Sequence, residues 1–201
     1  STTDRPMSAA LGDVDGDGDL DAMLSFYETE NTQSMAQVYI NDGSGGFTNS
    51  HGVMLLHYDT NSVPAKHRQG RGVALSDLDG DGDLDGLVGF QSQFNNECTA
   101  LWNDGRGQFT VDIDVFPHTA YLTASNGVAG GSPAVGDLDG DGDLDLFLYN
   151  PPTNTTGLAV WLNDGTGRFS LGERVSLATY PSAARLGDLD GDGDLDLAVQ
   201  S

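Results

Sequence analysis

The chain has 201 residues, enough for one ordinary domain or two small ones and for a real core without covalent staples. Eight Lys and Arg stand against 31 Asp and Glu, a formal net charge of −23, which excludes nucleic acid as a partner because phosphates require a basic face. A single cysteine, Cys98, excludes an internal disulfide framework, and no apolar run approaches the roughly 18 residues of a membrane span.

Taken in chain order, the first element is the apolar run Ala9-Ala10-Leu11, which leads into residues 13–21, DVDGDGDLD, and out into Met23-Leu24. Runs this short, bounded by glycine and aspartate, read as strands and not as helices. Val38-Tyr39-Ile40 is the next strand and ends on residues 41–47, NDGSGGF. There Asn-Asp-Gly supplies the φ > 0 positions of a tight hairpin, and the closing phenylalanine is expected in the core. No ligand is assigned to this hairpin.

The same order then returns. Val73-Ala74-Leu75, the loop 77–85 (DLDGDGDLD) and Leu87-Val88 lead to the hairpin 103–109, NDGRGQF. Pro133-Ala134-Val135, the loop 137–145, Phe147-Leu148 and Ala159-Val160-Trp161-Leu162 lead to 163–169, NDGTGRF. Ala184-Arg185-Leu186, the loop 188–196 and Ala198-Val199 begin a fourth copy that stops before its hairpin. Successive loops start 64, 60 and 51 residues apart, a period in the range of propeller blades. No convincing amphipathic helix is visible. The expected fold is therefore all-β, a partial β-propeller of four-stranded antiparallel blades with an acidic loop between the first two strands of each. Its units are residues 1–66, 67–129 and 130–181 as full blades and 182–201 as half of a fourth.

The four loops hold 20 of the 31 acidic residues, so the charge is local. Five aspartates in nine residues repel one another unless something positive lies among them, and a hard divalent cation is the economical counter-charge. Positions one, three and five can turn inward together, the glycines let the backbone curl, position seven can offer its carbonyl, and position nine closes the shell. An oxygen-only set of about six to seven ligands suits calcium better than magnesium or zinc. An EF-hand would need an acidic residue at position twelve, where this chain has Leu24, Val88, Leu148 and Val199. A solvated acidic run is the bland alternative, but leucine at position eight and aliphatics after the loop recur in every copy.

The D-x-D-x-D-G-x-x-D loop between short strands, followed by an N-D-G-x-G-x-F hairpin, resembles the FG-GAP or VCBS repeat of integrin-α-like β-propellers. The resemblance implies calcium at the rim of each blade, four sites in all. Its carboxylate ligands would be Asp13, Asp15, Asp17 and Asp21; Asp77, Asp79, Asp81 and Asp85; Asp137, Asp139, Asp141 and Asp145; and Asp188, Asp190, Asp192 and Asp196. Asp19, Asp83, Asp143 and Asp194 would give backbone oxygen, with their side chains facing water. Relatives of this type usually have seven blades, about twice this length, so the missing surface is expected from other copies of the chain or from the rest of a longer propeller.

Elsewhere the signals are weaker. Lys66, His67, Arg68 and Arg71 make a basic patch that reads as an ordinary exposed link, with docking of acidic glycans as the functional alternative. His51, His57, His67 and His118 lack metal-ligand spacing, and Cys98 lacks a nucleophile motif. Asn154-Thr155-Thr156 is a glycosylation sequon, modest support for secretion. Residues 1–7 show neither a basic start nor an apolar core, so no signal peptide is visible.

The function expected from the sequence is a non-enzymatic, extracellular, calcium-binding module for adhesion or self-assembly, with glycans or cell-surface proteins as candidate partners. A subunit of an extracellular filament or surface layer, and the propeller portion of a polysaccharide-active enzyme, are the alternatives.

Overall fold

A computed structural model describes residues 5–27, 36–49, 69–91, 96–112, 114–116, 133–149, 157–177 and 183–200. They form fourteen strands and no helix. The first blade comprises β1 (Arg5–Gly12), β2 (Asp21–Tyr27), β3 (Ala36–Asn41) and β4 (Phe47–Asn49). The second comprises β5 (Gln69–Ser76), β6 (Asp85–Gln91), β7 (Asn96–Asn103) and β8 (Phe109–Asp112). The third comprises β9 (Ala134–Gly136), β10 (Asp145–Tyr149), β11 (Gly157–Asn163) and β12 (Phe169–Ser176), and β13 (Ala183–Gly187) with β14 (Asp196–Gln200) begins the fourth.

Each blade is an antiparallel meander, its strands paired in chain order. Among the described residues the first two blades are joined into one eight-stranded sheet by the pair Tyr27 with Gln69. Among the described residues the sheets do not close into a ring. In every blade the ninth loop residue stands opposite the residue just before the loop: Asp21 with Gly12, Asp85 with Ser76, Asp145 with Gly136 and Asp196 with Gly187. The acidic loop is thus the closed end of the first hairpin of each blade, as its position between two strands in the sequence requires.

The core lies between successive sheets. Val14, Met23, Ala36 and Val38 of the first blade pack with Val73, Val88 and Leu101 of the second. Leu78, Leu87 and Ala100 of the second meet Leu146, Leu148, Trp161 and Phe169 of the third. Ala134, Phe147 and Leu158 of the third meet Ala184 of the fourth. Strands of a middle blade are covered on both faces, so residues 85–89 are buried without alternation. Each fully buried Met23, Leu101 or Leu146 side chain contributes about 1.5–3 kcal/mol through burial. The unit boundaries expected at 66/67, 129/130 and 181/182 lie outside the described residues.

Candidate metal centres

The four acidic loops share one hydrogen-bonding scheme. The first aspartate is wrapped by backbone: Oδ1 of Asp13 accepts from the Gly16 amide at 2.8 Å and Oδ2 from the Gly18 amide at 3.0 Å. Asp77, Asp137 and Asp188 accept from the corresponding glycines at 2.7–3.2 Å. The curl that brings these amides onto one carboxylate needs φ of 76° at Gly16 and 94° at Gly18, a conformation that a side chain opposes, which is why the D-G-D-G spacing recurs. The third and fifth aspartates each accept from the amide two residues on, turning the chain a step at a time.

The ninth aspartate is a brace. Asp21, buried at the start of β2, accepts from the Val14 amide through Oδ2 (2.9 Å) and from the Asn41 amide through Oδ1 (2.8 Å). Asp85 does the same with Leu78 and Asn103 at 3.0 Å each, and Asp145 with Leu138 at 2.9 Å and Asn163 at 2.8 Å. One carboxylate therefore ties the acidic loop to the hairpin of its own blade. Asp196 keeps the first half of this arrangement, accepting from Leu189 at 2.9 Å.

Carboxylate oxygens converge in all four loops. Asp13, Asp15 and Asp17 bring oxygens within 4.8 Å of one another, as do Asp77, Asp79 and Asp85, Asp137, Asp139 and Asp145, and Asp188, Asp190 and Asp196. The sequence named four carboxylates per loop, and the structure gathers three: positions one, three and five in the first loop, and one, three and nine in the others. A donor set of carboxylate oxygens alone, close enough to share one ion, fits a hard divalent cation. The electrostatics agree. Burial, with the neighbouring Asp17 and Asp21 charges, raises the Asp15 carboxyl above its ordinary value, and burial with the Asp81 charge raises Asp79. Burial pushes Asp85 up to about 6 despite the amide bonds from Asn103 and Leu78. Protein alone leaves these carboxylates under-compensated; a cation among them would favour the ionised forms.

The seventh aspartates depart from expectation. Asp19, Asp83 and Asp143 are half-buried, and their carboxylates lie against the hairpin glycines Gly43, Gly105 and Gly165 instead of facing water. The hairpin turn places glycine there, and the missing Cβ leaves the space that the aspartate fills. Asp194, with no hairpin beside it, is exposed.

The hairpins do more than turn the chain, a role their local sequence does not announce. Asn103 donates through Nδ2 to the Leu84 carbonyl of its own blade (3.1 Å) and to the Val14 carbonyl of the preceding blade (2.7 Å). Asn163 repeats this with Leu144 (3.1 Å) and Leu78 (2.8 Å). Val14 and Leu78 are the second residues of acidic loops, so each latch grips the loop of the blade before it. The Gly107 amide adds a bond to the Val14 carbonyl at 3.0 Å. Asp42 and Asp164 inside the hairpins are held below the usual carboxylate range, first by the hydroxyls of Ser44 and Thr166 and then by backbone amides. The expected core phenylalanine holds for Phe169, which is buried and stacks on Phe116 at 5.3 Å, and partly for Phe109. Phe47 is half exposed because that position is covered by the preceding blade, and the first blade has none in the described structure.

Cys98 is buried and its thiol is pushed up to about 12 by that burial, which leaves it without nucleophilic character. His51, His57, Lys66, His67, Arg68, His118 and Asn154 lie outside the described residues.

A family model for the FG-GAP-like repeat matches residues 77–148 and 149–199. Among solved structures the chain is similar to the exotype rhamnogalacturonan lyase YesX, with a TM-score of 0.53 and 16% identity. That alignment covers 98% of this chain and 39% of the lyase, a likeness of fold. No match was found among curated proteins.

Proposed function

We propose that this chain, which belongs to the FG-GAP-like repeat family, is a non-catalytic extracellular propeller module whose blades are organised by calcium and whose surface serves adhesion or self-assembly. The observation that carries the reading is the repetition, in four loops, of carboxylate oxygens within 4.8 Å of one another on one backbone scheme. The residues that would hold the ions are Asp13, Asp15 and Asp17; Asp77, Asp79 and Asp85; Asp137, Asp139 and Asp145; and Asp188, Asp190 and Asp196. Asp21, Asp81, Asp141 and Asp192 stand as further donors, with backbone oxygen from Asp19, Asp83, Asp143 and Asp194.

Calcium would supply the missing positive charge. Four ions would bring the formal charge from −23 to −15 (−23 + 4 × 2). The loops in turn carry the Val14 and Leu78 carbonyls that the next blade grips, so ordering a loop also orders a blade contact. Sites of this type bind as weakly as about 10⁻⁴–10⁻³ M in extracellular modules, which calcium outside cells still fills. Binding to the folded loops and not to the unfolded chain stabilises the fold by mass action. Calorimetric titration should return four ions per chain, and chelator should lower the melting temperature; melting indifferent to excess chelator would overturn the reading.

The likeness to a lyase supports a second reading, in which the chain is the propeller portion of a secreted polysaccharide-active enzyme. Turnover of an acidic polysaccharide that is lost on changing a histidine or tyrosine outside the loops would establish it.

A further inference from the structure

A continuous path of hydrogen bonds joins the second acidic loop to the first. Asp85, whose carboxylate converges with those of Asp77 and Asp79, accepts from the Leu78 amide on Oδ2 and from the Asn103 amide on Oδ1, both at 3.0 Å. Asn103 opens the hairpin of that blade and donates through Nδ2 to the Val14 carbonyl at 2.7 Å, where the Gly107 amide also donates at 3.0 Å. Val14 stands between Asp13 and Asp15, two of the three carboxylates that converge in the first loop. Its own amide donates to Asp21 at 2.9 Å, so the peptide groups on both sides of Val14 are held, one by its own blade and one by the next. Val14 and Asn103 are 2% and 7% exposed, so water does not compete for these bonds. Asp145, Asn163 and the Leu78 carbonyl make the corresponding path from the third loop to the second, where Leu78 stands between Asp77 and Asp79.

The two paths distribute the same donors differently. In the second blade the Gly107 amide reaches across to Val14, and among the described residues the buried Oδ1 of Asn103 has no partner. In the third blade the equivalent Gly167 amide turns back to Oδ1 of Asn163 at 3.1 Å, and Nδ2 of Asn163 grips Leu78. The hairpin amide therefore has two arrangements, one spent within its own blade and one spent on the loop of the blade before. Coupling between sites requires such an element, because a contact with a single arrangement is the same whatever happens beyond it.

We infer that Asn103 and Asn163 are positioning residues that couple neighbouring metal sites, so that filling one acidic loop tightens calcium binding in the loop it grips. This deepens the calcium half of the proposed function and rests on it. With the charge among Asp77, Asp79 and Asp85 balanced, the Asp85 carboxylate is fixed, and the Asn103 hairpin that it holds is fixed with it. The hairpin then orders the Val14 carbonyl, and with it Asp13 and Asp15, before the first loop fills; that loop has less freedom left to lose on binding. Coupling of this kind is reciprocal, so the first loop acts on the second by the same factor. Charge acting through space has the opposite sign. A filled loop of five aspartates carries a formal −3 (−5 + 2) and draws a cation to its neighbour less strongly than an empty loop does.

Calcium titration of the 201-residue chain followed by nitrogen-15 NMR tests this loop by loop. The Gly16 and Gly18 amides, bonded to Asp13, report the first loop, and the Gly82 amide, bonded to Asp77, reports the second. Asp79→Ala removes one of the three converging carboxylates of the second loop and leaves every first-loop residue in place. It should weaken calcium binding at the first loop by at least about fivefold, whereas in an Asn103→Ala background the same change should shift that affinity by less than about twofold. Hydrogen exchange gives a second readout: calcium should protect the Asn103 and Gly107 amides in the wild type and much less in Asp79→Ala. A first loop that binds equally or more tightly in Asp79→Ala overturns the proposal, and that variant decides even if Asn103→Ala does not fold. Equal weakening with and without Asn103 overturns it too, because a merely structural asparagine would leave the effect of Asp79→Ala unchanged. Wild-type glycine amides that ignore millimolar calcium would instead show that the metal sites themselves are absent, so the failure of the proposed function is distinguishable from the failure of the coupling.

Discussion

The side-chain amide of Asn163 donates to the carbonyl of Leu78 across 2.8 Å, although 85 positions separate the two residues. The same bond joins Asn103 to Val14 across 2.7 Å and 89 positions. Each asparagine also bonds its own acidic loop and donates its backbone amide to the ninth aspartate of that loop, so three segments meet at one residue.

Asn163→Ala removes both donated bonds and leaves the Leu78 carbonyl unpaired beside a buried core. A loss of about 2–4 kcal/mol is expected from the usual cost of unsatisfied buried groups. Asn41→Ala, whose Nδ2 bonds only the exposed Leu20 carbonyl, should cost about 1 kcal/mol or less. Urea unfolding of the two variants measures the difference.

Gly167 and Gly45 hold equivalent hairpin positions with φ of 73° and 87°. Alanine at either pays about 1–2 kcal/mol for the left-handed conformation. At Gly167 the new methyl also collides with the Trp102 ring of the preceding blade, adding about 1–3 kcal/mol of overpacking. Gly167→Ala should therefore lower the melting temperature distinctly more than Gly45→Ala.

Asp85 gives the apo protein an unusual pH response. Its carboxyl stands near 6 in the fold against an ordinary 3.8, raised chiefly by burial. A raised carboxyl favours the folded state below the ordinary value, and this contribution is lost as pH climbs through about 6. The raised Asp15 and Asp79 act in the same direction. In chelator, melting temperature should fall between pH 4 and 7; in saturating calcium, which favours the ionised carboxylates, it should rise over that range. Scanning calorimetry in both buffers checks the sign, and Asp85→Asn should flatten the chelator curve.

Cys98 serves as a probe of the interior. With its thiol at about 12 and buried, it should resist aromatic disulfide reagents at pH 8 in calcium. Chelation should make it react in step with the loss of the fold if metal is coupled to stability as proposed.

Strands, loops and hairpin turns were legible because each is written in a short window: apolar runs bounded by glycine, and aspartates alternating with glycines. The strand pair around the fourth loop was legible from the apolar runs on either side of it. The brace role of Asp21, Asp85 and Asp145 was not, because each carboxylate's second partner is an amide 18–20 residues away. The latch of Asn103 and Asn163 was hidden for the same reason at greater distance. Within a hairpin, asparagine reads completely as turn chemistry, and only its side chain's reach into the preceding blade reveals the rest. Asp19, Asp83 and Asp143 were expected in water because the resemblance assigns their position a backbone oxygen and leaves the side chain free; the empty space above each hairpin glycine decided otherwise.

The latches join only adjacent units, and this bears on how such a protein changes over generations. Duplicating or deleting an entire repeat would leave every remaining hairpin facing a loop of the kind it already grips, whereas a cut within a repeat would strand an asparagine from its carbonyl. Lineages should therefore vary in steps of one whole repeat, with drift in length absorbed by the links between them.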